Sequence, residues 1–250
     1  MTKKAAKLRL DQLLVASGLA ENRSRAQAFV LAGRVYSGER RLDKPGMPLA
    51  PATPIEVRGP DHPWVSRGGV KLAAALAQFK IDPAGKTALD IGASHGGFTD
   101  VLRHGGACRI YAVDVGHGQL DWGLRNDPRV VVLERINARF LSKEDIAEAV
   151  DLIVCDASFI GLETLLPQPL QLAAPGAVLV ALIKPQFEVG KGKVGKKGVV
   201  RDPALHDEVC ERISSWLGAL PGWTVTGLME SPLLGPEGNK EFLIAARFAV

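Results

Sequence analysis

From residue 87 onward, short apolar segments alternate with segments of helical pattern, and that alternation restricts the chain to few architectures. Thr87–Ile91, Ile110–Val113, Val130–Leu133, Leu152–Cys155 and Ala177–Ile183 have the length and apolar content of buried strands. Between them, Gly97–His104, Ser142–Val150 and Phe159–Ala173 read as helices. Strands separated by helices pair in parallel, with helices covering both faces of the sheet. A further helix is expected near Pro203–Leu217, then strands at Trp223–Leu228 and Phe242–Phe248. The loop joining those two is rich in Pro and Gly and leaves no room for a crossover helix, so they should pair antiparallel. The expected class is α/β: parallel strands plus an antiparallel last strand.

The segment before residue 60 has a different character. Helical patterns at Leu10–Gly18 and Arg23–Ala32, the second opened by Asn22 and closed by Gly33, are followed by β-like pieces at Val35–Tyr36 and Ile55–Val57. Residues 1–60 hold 11 Lys+Arg against 5 Asp+Glu, whereas the whole chain of 250 residues carries only +4. A basic first quarter on a near-neutral body indicates a polyanion-binding module. The expected division is a small α+β domain over 1–59, a linker over 60–66 with prolines and glycine around it, and the main domain over 67–250. Three isolated cysteines without a CxxC pair give neither a disulfide framework nor a zinc site, so no metal is expected and the compartment is read as reducing. The basic start lacks the apolar core of a secretory signal. The uncharged run Thr164–Ile183 is interrupted by Pro167, Pro169, Pro175 and Gly176, so it reads as a helix end, a turn and a buried strand, with no membrane segment.

The strongest local signal is Ala88-Leu-Asp-Ile-Gly-Ala-Ser-His-Gly-Gly-Phe-Thr-Asp100, a strand leading through a glycine-rich turn into a helix. This pattern places a small-ligand site at the C-terminal edge of the first strand. Gly92, Gly96 and Gly97 do not have the dinucleotide spacing G-x-G-x-x-G, and Asp90 precedes them where a pyrophosphate would be repelled. S-adenosylmethionine, cationic at sulfur and amine, fits better than a nicotinamide cofactor. The expected cofactor set is Asp90, Gly92, Ala93, Ser94, His95, Gly96, Gly97 and Phe98 of this turn. To it are added Asp114 and Val115 after the second strand, Asn137 after the third and Asp156 after the fourth. Asp114 suits ribose hydroxyls, although an acidic residue at a strand end also serves as a cap, and Asn137 is equally suited to forming a turn.

Asp156 ends the fourth strand, Lys184 the fifth, and Glu241 precedes the last. An antiparallel last strand would start on the edge where the parallel strands end, so the three would meet. Lys71, opening a helix in Ser66-Arg-Gly-Gly-Val-Lys-Leu72, could reach that edge. A lysine that loses its proton in such a partly desolvated setting can act as a general base. Taken singly, Lys71 and Glu241 read equally well as surface charges.

Together these motifs resemble the TlyA family of bacterial RNA 2′-O-methyltransferases, in which an S4 RNA-binding domain precedes an FtsJ-like methyltransferase domain. The resemblance rests on Arg9-Leu-Asp-Gln-Leu-Leu14, Ser24-Arg-Ala-Gln-Ala28, the Ser66–Leu72, Leu89–Ser94 and Gly96–Asp100 runs, Cys155-Asp-Ala-Ser-Phe-Ile160, Leu182-Ile-Lys-Pro-Gln-Phe-Glu188 and Gly238-Asn-Lys-Glu-Phe242. It implies a Rossmann-like methyltransferase sheet with an S4-like domain, a catalytic tetrad carried by Lys71, Asp156, Lys184 and Glu241, and S-adenosylmethionine as donor. It also implies ribosomal RNA or ribosomal subunits as partner, a cytidine ribose as target and a cytoplasmic location; no obligate protein partner is evident. His95 departs from the family's usual Thr in the cofactor turn, and His62-Pro63 from its usual linker. RNA contacts are expected from Arg9, Arg23, Arg25 and Arg34, and from the basic loop carrying Lys191, Lys193, Lys196 and Lys197. Two other readings are a non-catalytic RNA-binding or ribosome-assembly factor, and a membrane-active haemolysin. The second requires a spanning helix or alternating barrel strands, which the sequence does not display.

Overall fold

The computed structural model describes residues 7–59, 62–195, 198–235 and 238–249; Lys196 and Lys197 lie outside them. The chain forms two compact units, residues 1–63 and 64–250.

The first unit contains β1 (Leu8–Arg9), α1 (Leu10–Ala16), α2 (Arg23–Leu31), β2 (Val35–Ser37), β3 (Arg40–Arg41), β4 (Pro48–Leu49) and β5 (Glu56–Val57). The Asn22 side chain accepts the Arg25 N–H at 2.9 Å and so caps α2. Leu10, Leu14, Ala26, Val30, Val35 and Leu42 form its core. Asp11 is fully buried beside them, and its carboxylate accepts bonds from Arg9, Arg23 and Gln27. These donors, Arg9 foremost, hold its pKa far below the usual carboxylate range.

The second unit is built on α3 (Gly68–Phe79), β6 (Thr87–Ile91), α4 (Gly97–His104), β7 (Arg109–Asp114), α5 (Trp122–Arg125) and β8 (Val130–Glu134). There follow β9 (Val150–Cys155), α6 (Leu162–Leu165), β10 (Ala173–Ile183), α7 (Pro185–Glu188), α8 (Pro203–Ala219), β11 (Trp223–Glu230) and β12 (Phe242–Phe248). The seven strands run in the order β11-β12-β10-β9-β6-β7-β8. β6 through β10 pair in parallel, and β12 is antiparallel to both of its neighbours, as the connection lengths require. This is the expected α/β class.

Period-two alternation divides the sheet's apolar residues between its faces. Leu89, Ile91, Ile153, Cys155, Leu179 and Ile183 pack with Leu162 of α6 and Ile213 of α8. Ala88, Leu152, Val154, Val180, Leu182 and Leu243 pack on the other face with Leu72 of α3, Phe98 of α4 and Leu124 of α5.

Two expected helices are corrected. Ser142–Val150 holds only a turn over 143–145, where the Asp145 side chain accepts the Ser142 N–H at 3.0 Å; Ile146 and Val150, the latter already in β9, are its only apolar positions that reach the core. With so little apolar surface to bury, the turn does not propagate. Phe159–Ala173 contains only the short α6 and a 3-10 turn at Pro169–Leu172, because the helix cannot continue through Pro167 and Pro169. The short helix α5 has no counterpart in the sequence expectation.

Candidate active site

The same alternation selects the face on which the charged residues emerge. Lys184 continues the Val178, Val180, Leu182 series, Asp156 the Leu152, Val154 series, and Glu241 stands two residues before Leu243. All three therefore project from the C-terminal sheet edge toward the α3 and α4 side, where Lys71 lies on the first turn of α3. They line one cleft of about 230 Å³ together with Gly92, Ala93, Ser94, His95, Gly97 and Phe98.

Within the cleft the four charges form two ion pairs. Lys71 Nζ donates to Glu241 Oε2 at 2.5 Å, and both residues are almost completely buried. Glu241 Oε1 is buried without a hydrogen-bond partner. Lys184 Nζ lies 2.6 Å from Asp156 Oδ1 and donates to the Ser158 hydroxyl at 2.9 Å and the Asp156 carbonyl at 3.2 Å. Two charges of each sign thus stand close together, with Asp156 partly exposed and the other three buried, and burial strengthens their interaction.

The glycine-rich turn brings backbone close to the cleft. Gly92 adopts φ +82, and a Cβ there would stand 3.0 Å from the Ala157 backbone. A Cβ on Gly97 would meet Ser66 Oγ at 2.3 Å and the Gly69 nitrogen at 2.8 Å. Asp90 is fully buried, bonded through Oδ2 to the Thr99 hydroxyl at 2.6 Å, with Oδ1 unpartnered. Burial pushes its pKa up to about 7, assisted by the Asp156 and Asp114 charges. Asp114 accepts the Ser94 N–H at 2.9 Å and the Gly116 N–H at 2.7 Å, which ties the turn to the end of β7.

Asp114 lines a second, smaller recess with Ser94, Gly116, Gln119 and Glu134. Val115 is largely exposed beside it. Gly96, with φ +93, is buried against Leu120 and Leu124. Asn137 lines neither space; its side chain accepts the Arg139 N–H and caps the 3-10 turn Ala138–Phe140.

The FtsJ-like methyltransferase family model matches residues 64–248, and the S4 domain model matches residues 8–53. The chain is 47% identical over 244 residues to the 16S/23S rRNA (cytidine-2′-O)-methyltransferase TlyA of Mycobacterium tuberculosis, covering 97% of this chain and 91% of that one. The chain belongs to the TlyA family of FtsJ-like methyltransferases. This methyltransferase is also 48% identical over 239 residues to YqxC of Bacillus subtilis, covering 95% and 85% of the two chains. The solved structure of a hemolysin-named Streptococcus thermophilus protein matches it with a TM-score of 0.77 at 40% identity, over 98% of this chain and 89% of that one. Among the described residues, no helix of the methyltransferase is long and apolar enough to cross a membrane. Family membership implies a cofactor of the S-adenosylmethionine type.

Several residues of the methyltransferase cleft escaped the sequence reading: Ser66 and Arg67 before α3, Gly68 at its first position, and Ser158 in the loop after β9. Ser66 and Ser158 belong to motifs singled out above, but only the folded loops show that their hydroxyls enter the cleft. In the first unit, Arg9 and Arg23 are bonded to Asp11, while Arg25 and Arg34 each place a guanidinium over Phe29, at 4.9 and 4.8 Å from the ring centre. Lys193 pairs with Glu208 at 2.8 Å, and Lys191 opens the same 3-10 turn.

Proposed function

We propose that this protein transfers a methyl group from S-adenosylmethionine to a ribose 2′-hydroxyl of ribosomal RNA, at a cytidine, and works in the cytoplasm. The observation that carries this reading is the pair of lysine–carboxylate contacts meeting in one cleft beside the glycine-rich turn. The 47% identity to TlyA of M. tuberculosis supports the substrate.

The cleft suits a cationic nucleoside cofactor. Glu241 Oε1, in the cleft lining, is a buried acceptor without a partner, and Asp90 Oδ1 is another at the end of the strand beneath the turn. Asp90, residues 92–98 and Asp114 would hold it. When bound, the cofactor supplies an already activated methyl group.

Lys184 is assigned as general base. Nζ donates to the Ser158 hydroxyl and the Asp156 carbonyl, which uses both N–H bonds of a neutral amine and leaves its lone pair for an incoming proton, with the Asp156 carboxylate 2.6 Å away. The 2′-hydroxyl proton would pass to that lone pair as the oxygen–carbon bond forms and the carbon–sulfur bond breaks. Asp156 then stabilises the resulting ammonium. Lys71, held by Glu241, would orient the ribose. Residues 1–59 would dock RNA, with Arg9, Arg23, Arg25 and Arg34 facing phosphates.

General-base contributions are typically about 10²- to 10⁴-fold. Lys184→Ala is therefore expected to abolish measurable transfer to RNA while calorimetric binding of S-adenosylmethionine persists. Undiminished turnover would overturn the assignment, and failure of the wild-type protein to bind S-adenosylmethionine would favour a non-catalytic RNA-binding role.

A further inference from the structure

Glu188 closes the Lys-Pro-Gln-Phe-Glu run but does not line the cleft. Its side chain is nevertheless only 3% exposed. It lies on α7, one turn beyond Lys184, and its Oε1 accepts the Leu162 N–H at 2.9 Å. Leu162 is the first residue of α6, and the N-cap position before it is Gly161, which has no side chain to cap with. Glu188 therefore supplies from another element the acceptor that this helix start lacks. Arg212 of α8 secures the arrangement by donating to the Glu188 carbonyl at 3.1 Å and to Oε2 at 3.3 Å, while pairing with Glu163 of α6.

The loop between β9 and α6 is thus gripped at both ends by one short segment. At its start, Asp156 and Ser158 hold Lys184; at its end, Leu162 is held by Glu188. Within the loop Phe159 has φ +68, a backbone conformation that a bulky residue keeps only where the surroundings impose it. Its ring is largely exposed and meets Phe187 of α7 on one side, with centroids 5.0 Å apart.

We infer that Glu188 is a positioning residue for methyl transfer: through the Leu162 N–H it sets where Asp156 and Ser158 stand against Lys184. This inference rests on the assignment of Lys184 as the base. A displacement of about 1 Å in a reacting group can cost on the order of 10²-fold in rate.

The test uses the full chain with S-adenosylmethionine and ribosomal RNA, comparing wild type, Lys184→Ala, Glu188→Ala, Glu188→Gln and Gly161→Ala. Glu188→Ala is expected to lower kcat by about 10- to 100-fold, to leave KM for RNA and calorimetric cofactor affinity near wild type, and to shift the pH profile of kcat. Glu188→Gln keeps an oxygen for the Leu162 N–H and should recover most of the rate. Should Glu188→Ala fail to fold, Gly161→Ala remains informative, since its Cβ would press to 3.0 Å from Glu188 Oε2 without removing a bond. It should lower kcat with the same shift in pH profile. An unchanged kcat and pH profile in folded Glu188→Ala or Gly161→Ala overturns the inference, as does equal loss in Glu188→Gln and Glu188→Ala with no pH shift. Full activity of Lys184→Ala would instead overturn the base assignment on which it rests.

Discussion

Lys71 and Glu241 form an ion pair that water scarcely reaches. Removing one partner of such a pair strands a charge and typically costs about 3–5 kcal/mol, whereas replacing both costs much less. Lys71→Met should accordingly lower the urea midpoint far more than Lys71→Met with Glu241→Gln, and additive effects in that double-mutant cycle would contradict the buried pairing. Asp90 has the opposite environment, with a buried carboxyl and no cation bonded to it. Unfolded, its pKa would lie near 4; folded, burial raises it to about 7. The folded chain then holds the extra proton between these values, so this residue's contribution to stability falls as pH rises through that window and levels off above it. Asp90→Asn should make stability less dependent on pH between 5 and 8, as judged by urea unfolding at both ends; an unaltered dependence would refute the burial effect. Asp156, Lys184 and Glu241 were legible in the sequence because strand ends and the antiparallel direction of the last strand bring them to one edge. Ser66 and Ser158 were not, since the place of a hydroxyl in a loop is decided by contacts with residues far along the chain.

At the scale of elements, the parallel strands of the main sheet were readable because each is an apolar run ended by a charge or glycine. The misread segments, Ser142–Val150 and Phe159–Ala173, show the weakness of the same reasoning. Each begins with acceptable helix chemistry, but one has too few apolar residues to anchor a second turn and the other meets prolines. The start of α4 offers a sharper test of how elements meet. Ala is normally favoured over Gly within a helix by about 1 kcal/mol, yet a Cβ on Gly97 would collide with Ser66 Oγ and the Gly69 nitrogen, where α3 begins. Gly97→Ala should therefore lower the melting temperature and weaken S-adenosylmethionine binding about tenfold or more, corresponding to roughly 1.4 kcal/mol. Calorimetry would show this; unchanged affinity would mean that α3 yields without disturbing the cleft.

For the whole molecule, the modest total charge conceals a strongly basic first unit on a slightly acidic body. Arg25 and Arg34 flank Phe29, which restrains both guanidinium groups without neutralising them. Replacing both with Gln in the full chain should weaken RNA binding and flatten its dependence on salt by roughly 0.7–0.9 in log–log slope per lost phosphate contact, with cofactor affinity unchanged; binding measured between low and moderate salt is the check. The sheet carries a different consequence, one of timing. β12 lies between β10 and β11 although it follows both in the chain. As the polypeptide is synthesised, two edges of the sheet must wait unpaired until the strand that joins them emerges, and Glu241 immediately precedes that strand. The pairing that completes the sheet is also the one that seats the last charge of the cleft, so an unfinished chain would not yet hold the full constellation of an RNA-modifying enzyme while still attached to a ribosome.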